Sequence, residues 1–271
     1  MWYQGYAQAP PVVAAALRSW QRFNPGWRIV ALNRHSIDDW IDLKSVIDVD
    51  RRDLTLQKLS VIARLCLLRR YGGVWVDATT YCCRPLDGWL PSVYGSGFFA
   101  FRDPGPDRLA SNWMLAAEPD NPILIAIHDA FLELWRTTSF TNQDSRLGQW
   151  AVTKLSLVLN KDARRSTWWT TPLLLKMLRA YPYFIFHYTF NRILLSNPDL
   201  LQLWNESKPM NARLPHLLQD LADDPNGRIR AVVEISQDRL TVQKLNWRVN
   251  AADAYWRTVL AVLDRRLPAQ G

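Results

Sequence analysis

The stretch Tyr71-Gly72-Gly73-Val74-Trp75-Val76-Asp77-Ala78-Thr79 carries the residues best suited to chemistry. Between Asp53 and Asp77 the chain has no acidic side chain, while Lys58, Arg64, Arg69 and Arg70 are all basic. Asp77 is therefore an isolated carboxylate at the end of a short β-type run, preceded by cations. In open α/β sheets, ligands bind in the crevice beyond the carboxyl ends of strands. A lone carboxylate there suits a phosphate-bearing ligand with a divalent metal. A plainer reading of the same residues also stands: Gly72-Gly73 as an ordinary helix C-cap, with Asp77 capping the next turn.

The elements around this stretch follow from periodicity. Leu56, Leu59, Ile62, Ala63, Cys66 and Leu67 recur at helical spacing, so Leu54 to Tyr71 is expected to be a helix. Gln57, Ser60 and Arg64 form a narrow polar line on it. A buried Arg64 needs a partner, either a carboxylate in a structural pair or a ligand phosphate. Val74 to Val76 is expected as a short buried strand. Trp2–Ala7, Trp27–Leu32 and Gly97–Phe101 read as further strands. Pro10-Pro11 opens a helix to Phe23, and Asn121-Pro122 opens one to Trp135, with Asn as N-cap and Pro in the first turn. Trp113–Ala117 fits a strand or a short helix. The second half reads as mostly helical, over 145–160, 169–180, 185–195, 198–206 and 213–222. Asp223 to Gly227 is a loop, Thr241–Trp247 a late strand, and Ala251–Leu267 a closing helix. Alternating helix and strand in the first half is the pattern of an α/β layered domain. With no repeat or low-complexity linker, residues 1–271 are expected to form one domain, with an α/β part over 1–140 and a mainly helical part over 141–271.

Composition narrows the function classes. The chain has 271 residues, 48% of them hydrophobic and 21% charged, enough to bury a core. The net charge is +8, which favours anionic partners without naming one. The basic residues come singly and in pairs, with no nucleic-acid tail and no helix-turn-helix, zinc-finger or single-stranded RNA motif. Cys66, Cys82 and Cys83 make a poor disulfide framework and fit a reducing cytoplasm. The four histidines lack zinc-ligand spacing. The opening residues do not read as a signal peptide, and no window reaches the roughly 18–20 apolar residues of a membrane span. Tyr181 to Leu195 comes nearest, and reads as an amphipathic helix packed in the core or lying on a bilayer.

Taken in order, several segments resemble one family: Trp2-Tyr3-Gln4-Gly5, Ala9-Pro10 with Val12-Val13, Ser19-Trp20, Asn24-Pro25-Gly26-Trp27, then Leu67 to Thr79, Pro85-Leu86-Asp87, Trp89-Leu90, Asn112-Trp113 and Lys244-Leu245. The sequence resembles the capsular polysaccharide synthesis proteins, bacterial glycosyltransferases with a DXD-type sugar-binding region. The resemblance implies an α/β, GT-A-like fold and a Rossmann-like sheet that binds a nucleotide-sugar donor. It implies Mn²⁺ or Mg²⁺ as cofactor, and transfer with retention of configuration to an oligosaccharide or lipid-linked glycan. It assigns Asp77 to metal and donor, with Thr79 beside it on the metal. Tyr3, Gln4, Arg64, Gly73 and Asn112 are assigned to the donor pocket, and Lys244 to the diphosphate, so that Asp77 and Lys244 are the catalytic pair. The expected partners are the donor, the glycan acceptor and an anionic membrane touched peripherally from the cytoplasmic side, with nucleic acid excluded.

Two positions depart from that pattern. Thr79 stands where relatives with a full Asp-X-Asp have a second carboxylate, and Val61 stands where many have an aspartate on the helix. These departures motivate the rival expectation of a catalytically silent relative that binds a glycan or a partner enzyme.

Overall fold

The computed structural model describes residues 1–2, 4–250 and 253–269. It is a mixed α/β protein with small sheets and many helices. The strands are β1 (Gly73–Val76), β2 (Thr80–Cys82), β3 (Phe98–Gly105), β4 (Arg108–Ala117) and β5 (Val242–Lys244). The helices begin with α1 (Pro11–Phe23), α2 (Leu43–Val46), α3 (Leu56–Tyr71), α4 (Pro122–Thr137), α5 (Arg146–Leu159) and α6 (Ala163–Ser166). They continue with α7 (Pro172–Leu178), α8 (Ile185–Ser196), α9 (Pro198–Glu206), α10 (Arg213–Asp220), α11 (Gly227–Ser236) and α12 (Ala254–Arg265).

The chain divides into two units that interleave in sequence. The first comprises Met1–Ile37, Val76–Val93 and Ala212–Gly271; the second comprises Asp38–Trp75 and Tyr94–Asn211. In the first unit β2 pairs antiparallel with β5. Val12, Tyr81, Leu218, Ile235, Leu245 and Val259 belong to one buried core that joins this ribbon to α1, α10, α11 and α12. Ser19 Oγ accepts the Cys82 N–H at 2.8 Å, and Trp20 Nε1 donates to the Thr80 carbonyl at 2.7 Å, so α1 holds β2 along its length.

The second unit contains a three-stranded sheet in the order β1-β4-β3, with β3 and β4 an antiparallel hairpin. Helix α3 packs on α4 and on β4, and α8 on α4 and β4. The caps are those the sequence signals. The Thr55 hydroxyl starts α3, Asn121 Oδ1 accepts the Ile123 and Leu124 N–H groups at the start of α4, and Gly72 ends α3. At Gly72, φ is +65° and ψ is −157°, a region essentially restricted to glycine. A Cβ there would also lie 2.8 Å from Pro119 Cδ.

Three expectations are corrected. Trp2–Ala7 is not a strand among the described residues: Gly5, at φ +90°, turns its N–H back to the Trp2 carbonyl at 3.1 Å. Among the described residues Trp27–Leu32 also forms no ladder; the Trp2 N–H donates to the Leu32 carbonyl at 2.9 Å. A helix, α11, follows the loop at 223–227 where none was expected.

Candidate functional site

Asp77 opens a β-turn. The Thr80 N–H donates to the Asp77 carbonyl at 2.9 Å, and the turn joins β1 to β2. The β2–β5 register sets Thr80 opposite Lys244, and the Leu245 N–H donates to the Thr79 carbonyl at 2.9 Å. That pairing delivers the Lys244 side chain to the turn. Its ammonium donates to Thr79 Oγ1 at 2.5 Å and lies 3.6 Å from Asp77 Oδ2. Thr79 is buried, whereas the side chains of Asp77 and Lys244 are 29% and 20% exposed, so a ligand has access to both charges. Behind Lys244, Gln243 is fully buried. Its Oε1 accepts the Leu218 N–H at 3.0 Å, and its Nε2 donates to the Leu214 carbonyl at 2.7 Å, fixing β5 against α10.

The structure thus brings together three of the residues expected at the site: Asp77, Thr79 and Lys244. Gln4 is exposed on the irregular segment after Trp2, and Trp2 packs edge-on against Trp247, just beyond β5, with ring centroids 5.7 Å apart. Tyr3 lies outside the described residues.

Arg64, Gly73 and Asn112 belong to the second unit. Arg64 is buried on α3, donates to the Asn112 backbone carbonyl and lies over the Trp75 ring at 5.1 Å. The link between Arg64 and Asn112 therefore runs through the Asn112 main chain. Gly73 is exposed, at φ +88°, with open space where a Cβ would stand.

Two buried bases in this unit were not singled out from the sequence. Lys58 donates to the Tyr183 carbonyl and lies over the Tyr181 and Tyr183 rings at 5.5 and 5.0 Å. Burial, and then the charge of Arg64, lower its pKa to about 8. His187 is held well below the ordinary imidazole value by burial first, then by Arg108, Lys58 and Arg64. Helical spacing puts Lys58 among the buried positions of α3, one signal that could have flagged it.

Among the described residues no three His, Cys, Asp or Glu side chains gather as a metal site. Asp77 offers one carboxylate, with a neighbouring hydroxyl that already accepts from an ammonium. This donor set fits a hard cation that takes most of its oxygens from water and phosphate, as Mg²⁺ commonly does.

A sequence model of the capsular polysaccharide synthesis protein family matches residues 1–143. The chain is also similar to the O-glycosyltransferase braB of Annulohypoxylon truncatum, at 27% identity over 154 residues. That alignment covers 49% of this chain and 36% of the relative, so the chain spans little more than a third of the curated protein it matches. No solved structure matches significantly.

Proposed function

The chain belongs to the capsular polysaccharide synthesis protein family, and from that premise we propose that it is a glycosyltransferase of GT-A type. In this reading it moves a sugar from a nucleotide-diphosphate donor to a glycan or lipid-linked acceptor, with retention of configuration. The observation that carries the proposal is the Asp77–Thr79–Lys244 arrangement on the β2–β5 ribbon. Breaking the glycosidic bond of the donor leaves negative charge on the diphosphate, and a preorganised cation aimed at that charge lowers the barrier. Lys244 is such a cation: its backbone is fixed by the ladder and its ammonium by Thr79 and Asp77. Asp77, with Thr79, would hold a divalent ion, Mn²⁺ or Mg²⁺, which supplies Lewis-acid neutralisation of the same charge. Tyr3 and Gln4 of the N-terminal segment are assigned to the donor, as the resemblance implies.

The test is a screen of nucleotide sugars with the purified protein, reading released nucleotide by mass spectrometry. Metal-stimulated release from at least one donor is expected, and Asp77→Ala should abolish it. Full release in that variant would remove Asp77 from the mechanism.

A second reading, a silent binder of glycan or of a partner enzyme, draws on one observation. The Lys244 ammonium already contacts Thr79 and lies 3.6 Å from Asp77, so a ligand must compete with an internal ion pair. Calorimetry separates the readings: binding of UDP or GDP with Mn²⁺ supports the transferase, and none at any concentration supports the silent binder.

A further inference from the structure

Eight of the fifteen large apolar side chains exposed among the described residues lie between Leu147 and Tyr183, all within the second unit. Isolated exposed apolar residues are ordinary, but a concentration of them marks a binding surface. Helix α5 is the clearest case. Its inner side buries Gly148 and Val152. Its outer side presents Leu147, Trp150, Leu157 and Val158, at 72, 59, 66 and 53% exposure. At 3.6 residues per turn these four, with Lys154 among them, fall within an arc of about 100°. The neighbouring elements repeat the pattern. Helix α7, which packs on α5, exposes Leu173, Lys176 and Met177 at spacings of three and four, and Trp168 is exposed on the 3₁₀ turn that both helices contact.

The same segment concentrates the charge. From Arg146 to Tyr183 there are seven Lys and Arg and a single acid, Asp162, which pairs with Arg165 at 3.2 Å. These 38 residues thus carry six of the chain's eight net positive charges.

We propose that the surface formed by α5, the 163–170 segment and α7 docks the protein on an anionic bilayer, lying in the interface with Leu147, Trp150 and Leu157 among the acyl chains and the lysines and arginines at headgroup level. Charge and apolarity together select this occupant. Anionic lipid offers negative headgroups above hydrocarbon in one surface, and helices with Trp and Leu on one face and Lys and Arg beside them bind it in plane. A second copy of the chain would bring two such basic faces together, which like-charge repulsion opposes. Among the described residues no helix is long and apolar enough to cross a membrane.

The experiment is co-sedimentation of the full chain with phosphatidylcholine vesicles, with and without about 30 mol % phosphatidylglycerol. Binding is expected on the anionic vesicles, little on the neutral ones, and progressive release as salt rises. The variant Leu147→Ser/Trp150→Ser/Leu157→Ser, altered only at exposed positions, should lose it. Lys154→Gln/Lys161→Gln/Arg164→Gln should weaken it about a hundredfold, at a few-fold for each charge removed. Equal binding to neutral and anionic vesicles, or wild-type binding by both variants, would overturn the proposal. So would a vesicle-indifferent dimer that the serine variant dissociates in sedimentation velocity. The readout is lipid partition, so its failure leaves the glycosyltransferase reading untouched.

Discussion

The ammonium of Lys244, at the end of β5, donates at 2.5 Å to the hydroxyl of Thr79, in the turn that leads into β2 some 160 positions earlier in the sequence. The bond gives the hydroxyl at position 79 a structural role in holding the ammonium. A carboxylate at 79 would give the turn two negative charges for one ammonium. With Thr79 the ammonium has a neutral hydroxyl partner and lies 3.6 Å from the Asp77 carboxylate. Because both charged side chains are partly exposed, the ion pair adds little to stability, and its value lies in position.

Asp77→Asn and Lys244→Met should each lower kcat/KM for nucleotide release by about 10²–10³, the usual effect of removing one preorganised electrostatic group. The double variant should lose much less than the product of the two, because both groups act on the same developing charge. Steady-state kinetics on the four proteins decide it. Multiplicative losses would mean that the two residues act independently.

Gly72→Ala should destabilise the protein by about 3 kcal/mol, combining a glycine-only backbone conformation with a clash at Pro119. Gly73→Ala, at φ +88° but with no atom within 4 Å of the new Cβ, should cost only about 1 kcal/mol. Urea unfolding of both variants checks the ranking, and equal losses would show that the contact with Pro119 is easily relieved.

That ranking touches what the sequence made legible. The gap in acidic residues before Asp77, the glycine stop of α3 and the Asn121-Pro122 cap are local signals, and the structure places elements where they point. The β2–β5 ribbon was hidden for a physical reason. A three-residue strand has no measurable alternation, and its partner lies some 160 positions away in sequence, so Thr79 and Lys244 could not be paired by pattern. Helix α11 was obscured by Ile229, Val232, Val233 and Ile235, β-branched residues with modest helix propensity that tertiary packing overrides. The burial of Lys58 is not legible in the sequence because α3 has no clean polar face; charged and apolar residues share its buried side. The net charge of 146–183 is legible in the sequence, but only the structure shows which apolar side chains of that segment stand exposed beside it.

Stability should rise with pH in two separate windows. His187 stays neutral in the fold below its ordinary value of 6.5, so the unfolded chain takes up a proton there that the native state refuses, and stability falls as pH drops below about 6.5. Lys58 releases its proton near pH 8 in the fold but near 10.5 when unfolded, so from about pH 8 to pH 9 the unfolded chain again holds the extra proton. Above about pH 9 the buried thiols of Cys66, Cys82 and Cys83, whose pKa burial raises, keep protons that the unfolded chain releases, and the trend reverses. At neutral pH the charged Lys58 costs on the order of 3 kcal/mol. Lys58→Met should recover about 1–2 kcal/mol of it, after loss of the bond to the Tyr183 carbonyl, and flatten the upper window. Urea titrations from pH 5 to pH 10 measure both slopes. An unchanged upper slope in Lys58→Met would assign that proton to another group.

Gln243 provides the most direct check that the ribbon is what positions Lys244. Its amide is fully buried and satisfies the Leu218 N–H and the Leu214 carbonyl together. Gln243→Leu leaves both groups without that partner in the core and should cost about 3 kcal/mol. Gln243→Glu keeps the acceptor for Leu218 but sets a carboxylate against the Leu214 carbonyl. It should be less stable than Gln243→Leu at pH 8 and should recover as pH falls toward 5, when the new carboxyl protonates and can donate to that carbonyl. Urea unfolding of both variants at the two pH values reads this directly. If Gln243→Glu shows no recovery at low pH, the amide at 243 is not what holds β5 against α10, and the placement of Lys244 rests on the ladder with β2 alone.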